Sequence, residues 1–230
     1  MVMAQRQQGQ DRKPRLTAQD WADAALTAIG EGGIAAVAVE PLAARLGTTK
    51  GSFYWHFANR DALIEVALER WAQINTEGII SEVEAEPDPR KRIHLLFAEA
   101  ITSATANPLE VALLATATQP QVAAALRRVT ERRVAYLAQL FADLGFPEPE
   151  ARRRGLLAYT VYLGHAQLGH AVPSMLPPEE GGVFREYLNE ALEVLMTRCW
   201  GMTDTAPLET RPSRDRGRDS GPAPPLRRHR

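Results

Sequence analysis

Eight consecutive residues, Thr49-Lys50-Gly51-Ser52-Phe53-Tyr54-Trp55-His56, concentrate hydrogen-bonding groups of the kind that grip nucleic acid. Lys50 can reach guanine O6 or N7, or a phosphate oxygen. Tyr54, Trp55 and His56 supply a hydroxyl, an indole N–H and an imidazole within one helical turn, donors suited to phosphates and base edges. On a helix, Thr49 to Ser52 would form the first turn, whose free N–H groups and positive dipole end attract phosphate. Gly51 there permits close approach of a backbone. In isolation the three aromatics fit packing as well as they fit DNA contact, but so short a helix cannot bury all three. Phe53, with Trp21 and Trp71, reads as core.

A second cluster lies in Leu163-Gly164-His165-Ala166-Gln167-Leu168-Gly169-His170. The two histidines are five residues apart, poor geometry for two ligands on one helical face, so no metal site is expected. Tyr162, His165 and Gly169 share a face. Gly164 and Gly169 inside a helix each cost about 1 kcal/mol against alanine, which implies a close contact or a bend. The Arg127-Arg128 and Arg132-Arg133 pairs are spaced for a solvated helical face. Cys199 is the one cysteine, which excludes a disulfide framework and a four-thiolate zinc site, and it reads as buried or inert. No nucleophile elbow, P-loop, dinucleotide fingerprint or HExxH occurs, so neither enzyme function nor a cofactor is expected.

The elements that position these groups are helical. The chain has 230 residues, 45% hydrophobic and 24% charged, enough for one or two small domains. A net charge of −1 excludes a uniformly basic nucleic-acid coat but leaves room for a locally basic face. Helix-forming Ala, Leu, Arg and Glu abound, and alternating Val/Ile/Thr runs are missing. No apolar run reaches the roughly 18 residues of a membrane span, and the N-terminus has no apolar segment typical of a secretory signal, so a cytoplasmic location is expected.

Residues 1–15 read as a disordered basic arm. Thr17 with Asp20 resembles a capping box, opening a helix that Gly32 and Gly33 end. A short helix spans about Glu40 to Leu46, with Pro41 in its first turn. A third runs from about Lys50 to Phe57, and Asn59 caps a fourth with Leu63, Val66, Ala67, Trp71 and Ile74 on one stripe. Ala43 is small where two helices cross, Gly47 can take the positive φ of a tight turn, and Leu42, Leu46 and Phe53 pin the second helix to the first. Those are the mechanics of a helix-turn-helix, which presents its second helix to a major groove. Asp88-Pro89, Asn107-Pro108 with Glu110 at the capping-box position, Gln119-Pro120 and Pro147-Glu148 each open a further helix, and Val183 to Trp200 forms the last. In the helix from Pro120, Val122, Leu126, Val129, Leu137, Leu140 and Leu144 fall mostly on one face. The total is about nine helices, all-α. Residues 203–230, with five prolines and seven arginines, read as a disordered tail.

The run GTTKGSFYWHFANRDALI, preceded by a helix ending Glu31-Gly32-Gly33, resembles the DNA-binding domain of the TetR/AcrR family of bacterial regulators over residues 16 to about 71. The resemblance implies a helix-turn-helix domain at 16–71, continuing through a linker helix to about 85, and an effector-binding and dimerisation domain at 86–202. It implies a homodimeric, ligand-responsive regulator of transcription, more often repressor than activator, bound to a double-stranded DNA operator. Lys50, Gly51 and Tyr54, with Thr49 as a further candidate, fall where the family touches bases; Ser52, Trp55, His56 and Arg60 fall where it touches phosphates. Thr17 joins this set, and Arg12, Lys13 and Arg15 of the arm could enter or border a minor groove.

The family's last two helices form a four-helix dimer interface, which draws in Gly164, Leu168, Gly169, Leu188, Leu192 and Leu195. Phe97, Tyr159, Tyr162 and His165 are candidates for an effector cavity, the aromatics fitting cavity and interface equally well. A mainly apolar cavity implies a hydrophobic or aromatic effector. Two residues depart from the family's pattern: Ala38 stands where a Ser or Thr cap is usual, at a cost of about 1 kcal/mol, and Glu40 stands where a basic residue is common. Glu40 repels phosphates unless it turns away or finds a cation. Two rivals remain: a helical small-molecule binder whose DNA-binding half has decayed, and a regulator controlled by a protein partner through the arginine-rich tail.

Overall fold

A computed structural model describes residues 15–178 and 182–197, and every regular element among them is helical. Nine helices are α1 (Ala18–Gly32), α2 (Val39–Arg45), α3 (Lys50–Phe53), α4, α5 (Pro89–Ala106), α6 (Leu109–Ala115), α7 (Pro120–Asp143), α8 (Glu148–Ala171) and α9 (Gly182–Met196). Helix α4 is one run of three segments: Arg60–Ala72, a π-helical stretch Gln73–Gly78, and Ile79–Val83. Arg12 and Lys13, Cys199 and the tail lie outside the described residues. Among those described, no helix is long and apolar enough to cross a membrane.

Local chemistry sets the helix ends. Thr17 and Asp20 close a reciprocal capping box on α1. Asn59 Oδ1 accepts from Ala62 N–H at 2.9 Å and Asp88 Oδ1 from Arg90 N–H at 2.9 Å. Ala38, at the N-cap of α2, makes no side-chain cap. Helix α3 is shorter than its sequence implies. The N–H groups of Trp55 and His56 bond three residues back, to Ser52 and Phe53, so the chain tightens into a turn after Phe53.

Two apolar cores form. The first joins Trp21, Ile29, Leu42, Phe53, Leu63 and Trp71 to Leu109 and Leu113 of α6 and to Val122, Leu126 and Val129 of α7. It therefore crosses the boundary expected near residues 71–85. The second joins the end of α4, α5, the C-terminal half of α7, α8 and α9. On α4 the buried stripe is Leu63, Ile64, Ala67, Leu68 and Trp71, whereas Val66 and Ile74 are exposed. Val66 lies on the other flank, and Ile74 falls in the π-helical stretch, where wider winding turns the face away.

The interface expectation divides. Leu188, Leu192 and Leu195 are core residues, because the apolar stripe of α9 packs on its own chain. Gly164 has open space around it and Leu168 is exposed. The glycine that lets helices approach is Gly155, where a Cβ would sit 2.8 Å from Ala138 N and 3.0 Å from Val134 O of α7. Both obstacles are backbone, so the two longest helices would have to separate. We predict that Gly155→Ala costs about 1–3 kcal/mol in urea unfolding; an unchanged midpoint would refute this account of the α7–α8 packing.

Candidate functional site

Helices α2 and α3 are joined by a turn in which Gly47 has φ of 63° and Thr48 N–H donates to Ala43 O at 2.9 Å. Phe53 orients α3: fully buried, it meets Trp21 edge-on at 5.4 Å and stacks on Phe57 at 5.5 Å. With Phe53 turned inward, Thr49, Lys50, Gly51, Tyr54 and Trp55 face outward, Ser52 and His56 at their margin. Trp55 is 82% exposed and Tyr54 56%. The Tyr54 ring meets Phe53 edge-on at 5.1 Å yet stays half exposed, and packing does not account for Trp55. Gly51 has an ordinary negative-φ backbone, and a Cβ there would meet Thr49 Oγ1 alone, at 3.6 Å, among the described residues. The fold itself makes no demand for glycine at that point.

Of the expected cavity residues, Phe97, Tyr159 and Tyr162 line one cleft between α4, α5, α7 and α8, with a cavity volume of about 60 Å³. Ile79, Ile80, Leu96, Ile101 and Leu137 make its walls mainly apolar. His165 does not belong to it. That ring is buried between Phe184 at 5.9 Å and Tyr187 at 5.7 Å, and it borders a separate pocket with Gly169 and Leu176. The reason is helical phase: Tyr159 and Tyr162 look toward α4 and α7, His165 toward α9.

Two cavity-side residues were read differently in the sequence. Glu110, expected to cap α6, turns inward, and Asn107 Oδ1 caps Leu109 N–H instead. Arg133, expected on a solvated face, is buried against it: their side chains are 8% and 12% exposed. Arg133 Nη1 donates to both Glu110 oxygens at 2.7 and 2.9 Å, Nε to Thr76 Oγ1 at 2.9 Å and Nη2 to Asn75 O at 3.0 Å. Its guanidinium lies 5.6 Å from the Trp71 ring and 5.6 Å from the Tyr162 ring, and the Tyr162 hydroxyl donates to Glu110 at 2.8 Å. The signal was present in the sequence. Arg133 falls on the buried stripe of α7 between Val129 and Leu137, four residues from each.

Electrostatics follow from this burial. Desolvation alone would lower the Arg133 guanidinium, but Glu110 beside it holds it above the ordinary arginine range. Burial raises the Tyr162 and Tyr159 hydroxyls above the usual phenol range, so both are neutral. The cleft wall thus presents a neutralised guanidinium and neutral phenols.

On the α3 face, Lys50 Nζ donates to Glu40 Oε1 at 2.5 Å. The hydrogen bond from Lys50 lowers the Glu40 carboxyl, and the one to Glu40 raises the Lys50 ammonium. Glu40 has found its cation on α3 itself. Thr17 is engaged with Asp20, and Arg15 is exposed just ahead of it. Arg60, expected at a phosphate, is committed to the fold. Its Nε donates to Val37 O at 2.6 Å and its Nη2 to Ile34 O, tying the start of α4 to the 3₁₀ turn Ile34–Ala36. Ile34 O also accepts the 3₁₀ bond from Val37 N–H at 3.3 Å, so the guanidinium takes up its remaining acceptor capacity. Arg60→Ala should cost about 1–2 kcal/mol of stability in urea unfolding. It should leave the salt dependence of any DNA binding unchanged; a slope shallower by about 0.9 would restore Arg60 as a phosphate ligand.

Residues 22–67 match the family model of bacterial regulatory proteins, tetR family. No curated protein matches the sequence. Among solved structures, a transcriptional regulator from Rhodococcus sp. Rha1 is 23% identical, the match covering 79% of this chain and 94% of that one with a TM-score of 0.63. The fatty acid degradation regulator FadR from Bacillus halodurans is 16% identical, covering 82% and 98%, with a TM-score of 0.57. NalD from Pseudomonas aeruginosa, the secondary repressor of the MexAB-OprM multidrug efflux pump, is 22% identical, covering 80% and 97%, with a TM-score of 0.57. At these identities the likeness is one of fold. The tetR-family match is thus confined to residues 22–67, and the solved structures share the helical fold of the chain around it.

Proposed function

We propose that the protein is a sequence-specific DNA-binding repressor of transcription, released from its operator when a small neutral, mainly apolar molecule fills the cleft between α4, α5, α7 and α8. The observation that carries the DNA half is the outward face of α3. Tyr54 and Trp55 are exposed beside Lys50 and a glycine that the fold does not require. Lys50, Gly51, Tyr54 and Thr49 are the base-reading set; Ser52, Trp55 and His56 hold phosphates; Arg12, Lys13 and Arg15 add charge from the arm. The reading includes a homodimer joined through α8 and α9, supported by the outward side chains of Leu156, Leu157, Leu168 and Val194. Two recognition helices would then meet half-sites about 34–36 Å apart.

The effector half rests on the cleft. Phe97, Tyr159 and Tyr162 stand in a mostly apolar wall in which Arg133 is already neutralised by Glu110. Asn75, Thr76, Ile79 and Ile80, from the far end of α4, line the same cleft, and the other end of α4 is separated from α3 by six residues. A ligand there would press on the helix that carries the DNA-reading face. Such coupling is typically about 1–3 kcal/mol, and it is reciprocal.

The rival reading, a ligand binder whose DNA-binding half has decayed, draws on the pairing of Lys50 with Glu40 and on five basic against seven acidic residues over 15–71. Salt separates the two. In a binding selection with random duplexes, the wild-type chain should enrich a palindromic site, and its log affinity should fall linearly with log salt, by about 0.9 per phosphate contact. Lys50→Ala/Tyr54→Ala should lose about 100-fold on that site, two base contacts at about 1–3 kcal/mol each. No enrichment, with weak binding by both proteins at every salt, would leave the ligand binder standing.

A further inference from the structure

Glu40 occupies a position that the DNA-binding reading leaves unexplained. Its carboxylate stands on the first turn of α2, exposed to solvent, on the same side as the groove-facing residues of α3. It is held there by the Lys50 ammonium, the one cation of the outward α3 face. Lys50 thus meets DNA as half of a neutral pair. We infer that Glu40 is a specificity-determining residue, which withholds Lys50 from the phosphate backbone and commits the pair to a base edge that offers an acceptor and a donor together; this rests on the DNA-binding reading above.

The chemistry distinguishes backbone from base edge. A phosphate offers acceptors alone, so moving Lys50 onto it breaks the ion pair or brings the Glu40 carboxylate against another anion. A G·C pair in the major groove presents guanine O6 and N7 as acceptors beside the cytosine N4 amino donor. The ammonium has three donors and the carboxylate has lone pairs to spare, so both can bond to that edge without parting. Half-exposed ion pairs of this kind are weak, so the pair sets a preference and adds little to the stability of the free protein. Losing a cation from non-specific binding is the cost of this arrangement; a wider gap between right and wrong sequence is its result.

The test compares the wild-type chain with Glu40→Gln, which keeps the size and removes the charge, on the selected duplex and on a random duplex, across 50–200 mM salt. Glu99→Gln, an exposed carboxylate on α5 away from both sites, controls for net charge. Glu40→Gln should bind random DNA more tightly at low salt. Its slope of log affinity against log salt should steepen by about 0.9, an extra loss of about 3.5-fold across that range, as Lys50 takes up a phosphate. The ratio of specific to random affinity should shrink, most of it from lost preference at G·C positions. Adding Lys50→Ala to Glu40→Gln should return the slope to the wild-type value. Unchanged random-DNA affinity and slope in Glu40→Gln, or an equal change in Glu99→Gln, would overturn the inference while leaving DNA binding intact. Failure of the wild-type chain to bind either duplex would instead remove the DNA-binding reading, and this inference with it.

Discussion

The contact between Arg133 and Glu110 is the one on which the arrangement of helices depends. Buried charges are stable only when paired and fully hydrogen-bonded, since desolvation otherwise exceeds their attraction. Here the requirement is met by drawing groups from four helices to one point. Glu110 comes from α6, Arg133 from α7 and Tyr162 from α8, while Thr76 and the carbonyl of Asn75 come from α4. The Asn75 carbonyl lies within the π-helical stretch, where i→i+4 bonding is interrupted, and the guanidinium supplies it with a donor. This stretch of helix is thereby fastened to α6, α7 and α8. Loss of either charge alone would leave the other buried and unpaired, a cost of about 3–5 kcal/mol.

This fastening explains why a division into a DNA-reading half and a cavity half is only partly physical. Helix α4 runs from Arg60, after the turn that follows α3, to the cleft wall without a break in its helical course. Beyond the buried pair, Glu69–Arg128 and Glu77–Arg132 join α4 to α7 along its exposed flank, and Asp23–Arg70 joins α1 to α4. Exposed pairs of this kind contribute little energy, but they fix register. The first apolar core continues from Trp21 and Trp71 into Leu113 and Val122, so a shift of α6 or α7 displaces the packing that holds Phe53 and with it the α3 face. The proposed effector response needs no further machinery than this.

Much of this was legible in the sequence, and the parts that were not have identifiable causes. Helix existence followed from caps and breakers: Thr17, Asn59, Asp88 and the prolines act through local bonds that tertiary packing does not override. The outward set on α3 followed from the helix-turn-helix spacing, because Phe53 has one inward direction. The hold of Arg60 on the carbonyls of Val37 and Ile34, more than twenty residues away in sequence, has no local pattern that reveals it. Arg133 and Glu110 were misread for a different reason. A charged residue on an apolar stripe looks like a solvated one until its partner on another helix is known. Ile74 escaped because the stripe was extended at 3.6 residues per turn through a stretch that winds more widely. The significance of Gly155 over Gly164 turned on which helix lay opposite, a tertiary fact.

The central claim is that the DNA-reading face and the cleft share one mechanical element, the α4 run with its π-helical stretch. Reciprocity makes this testable without knowing the effector, because a site coupled to DNA must respond to DNA. The direct measurement is amide hydrogen exchange of the full chain, free and bound to its selected duplex. The account predicts altered exchange rates over residues 73–83 and at α5 and α8 around the cleft, in addition to protection at α3. Changes confined to residues 15–60, with the α4 stretch and cleft helices exchanging identically in both states, would contradict it.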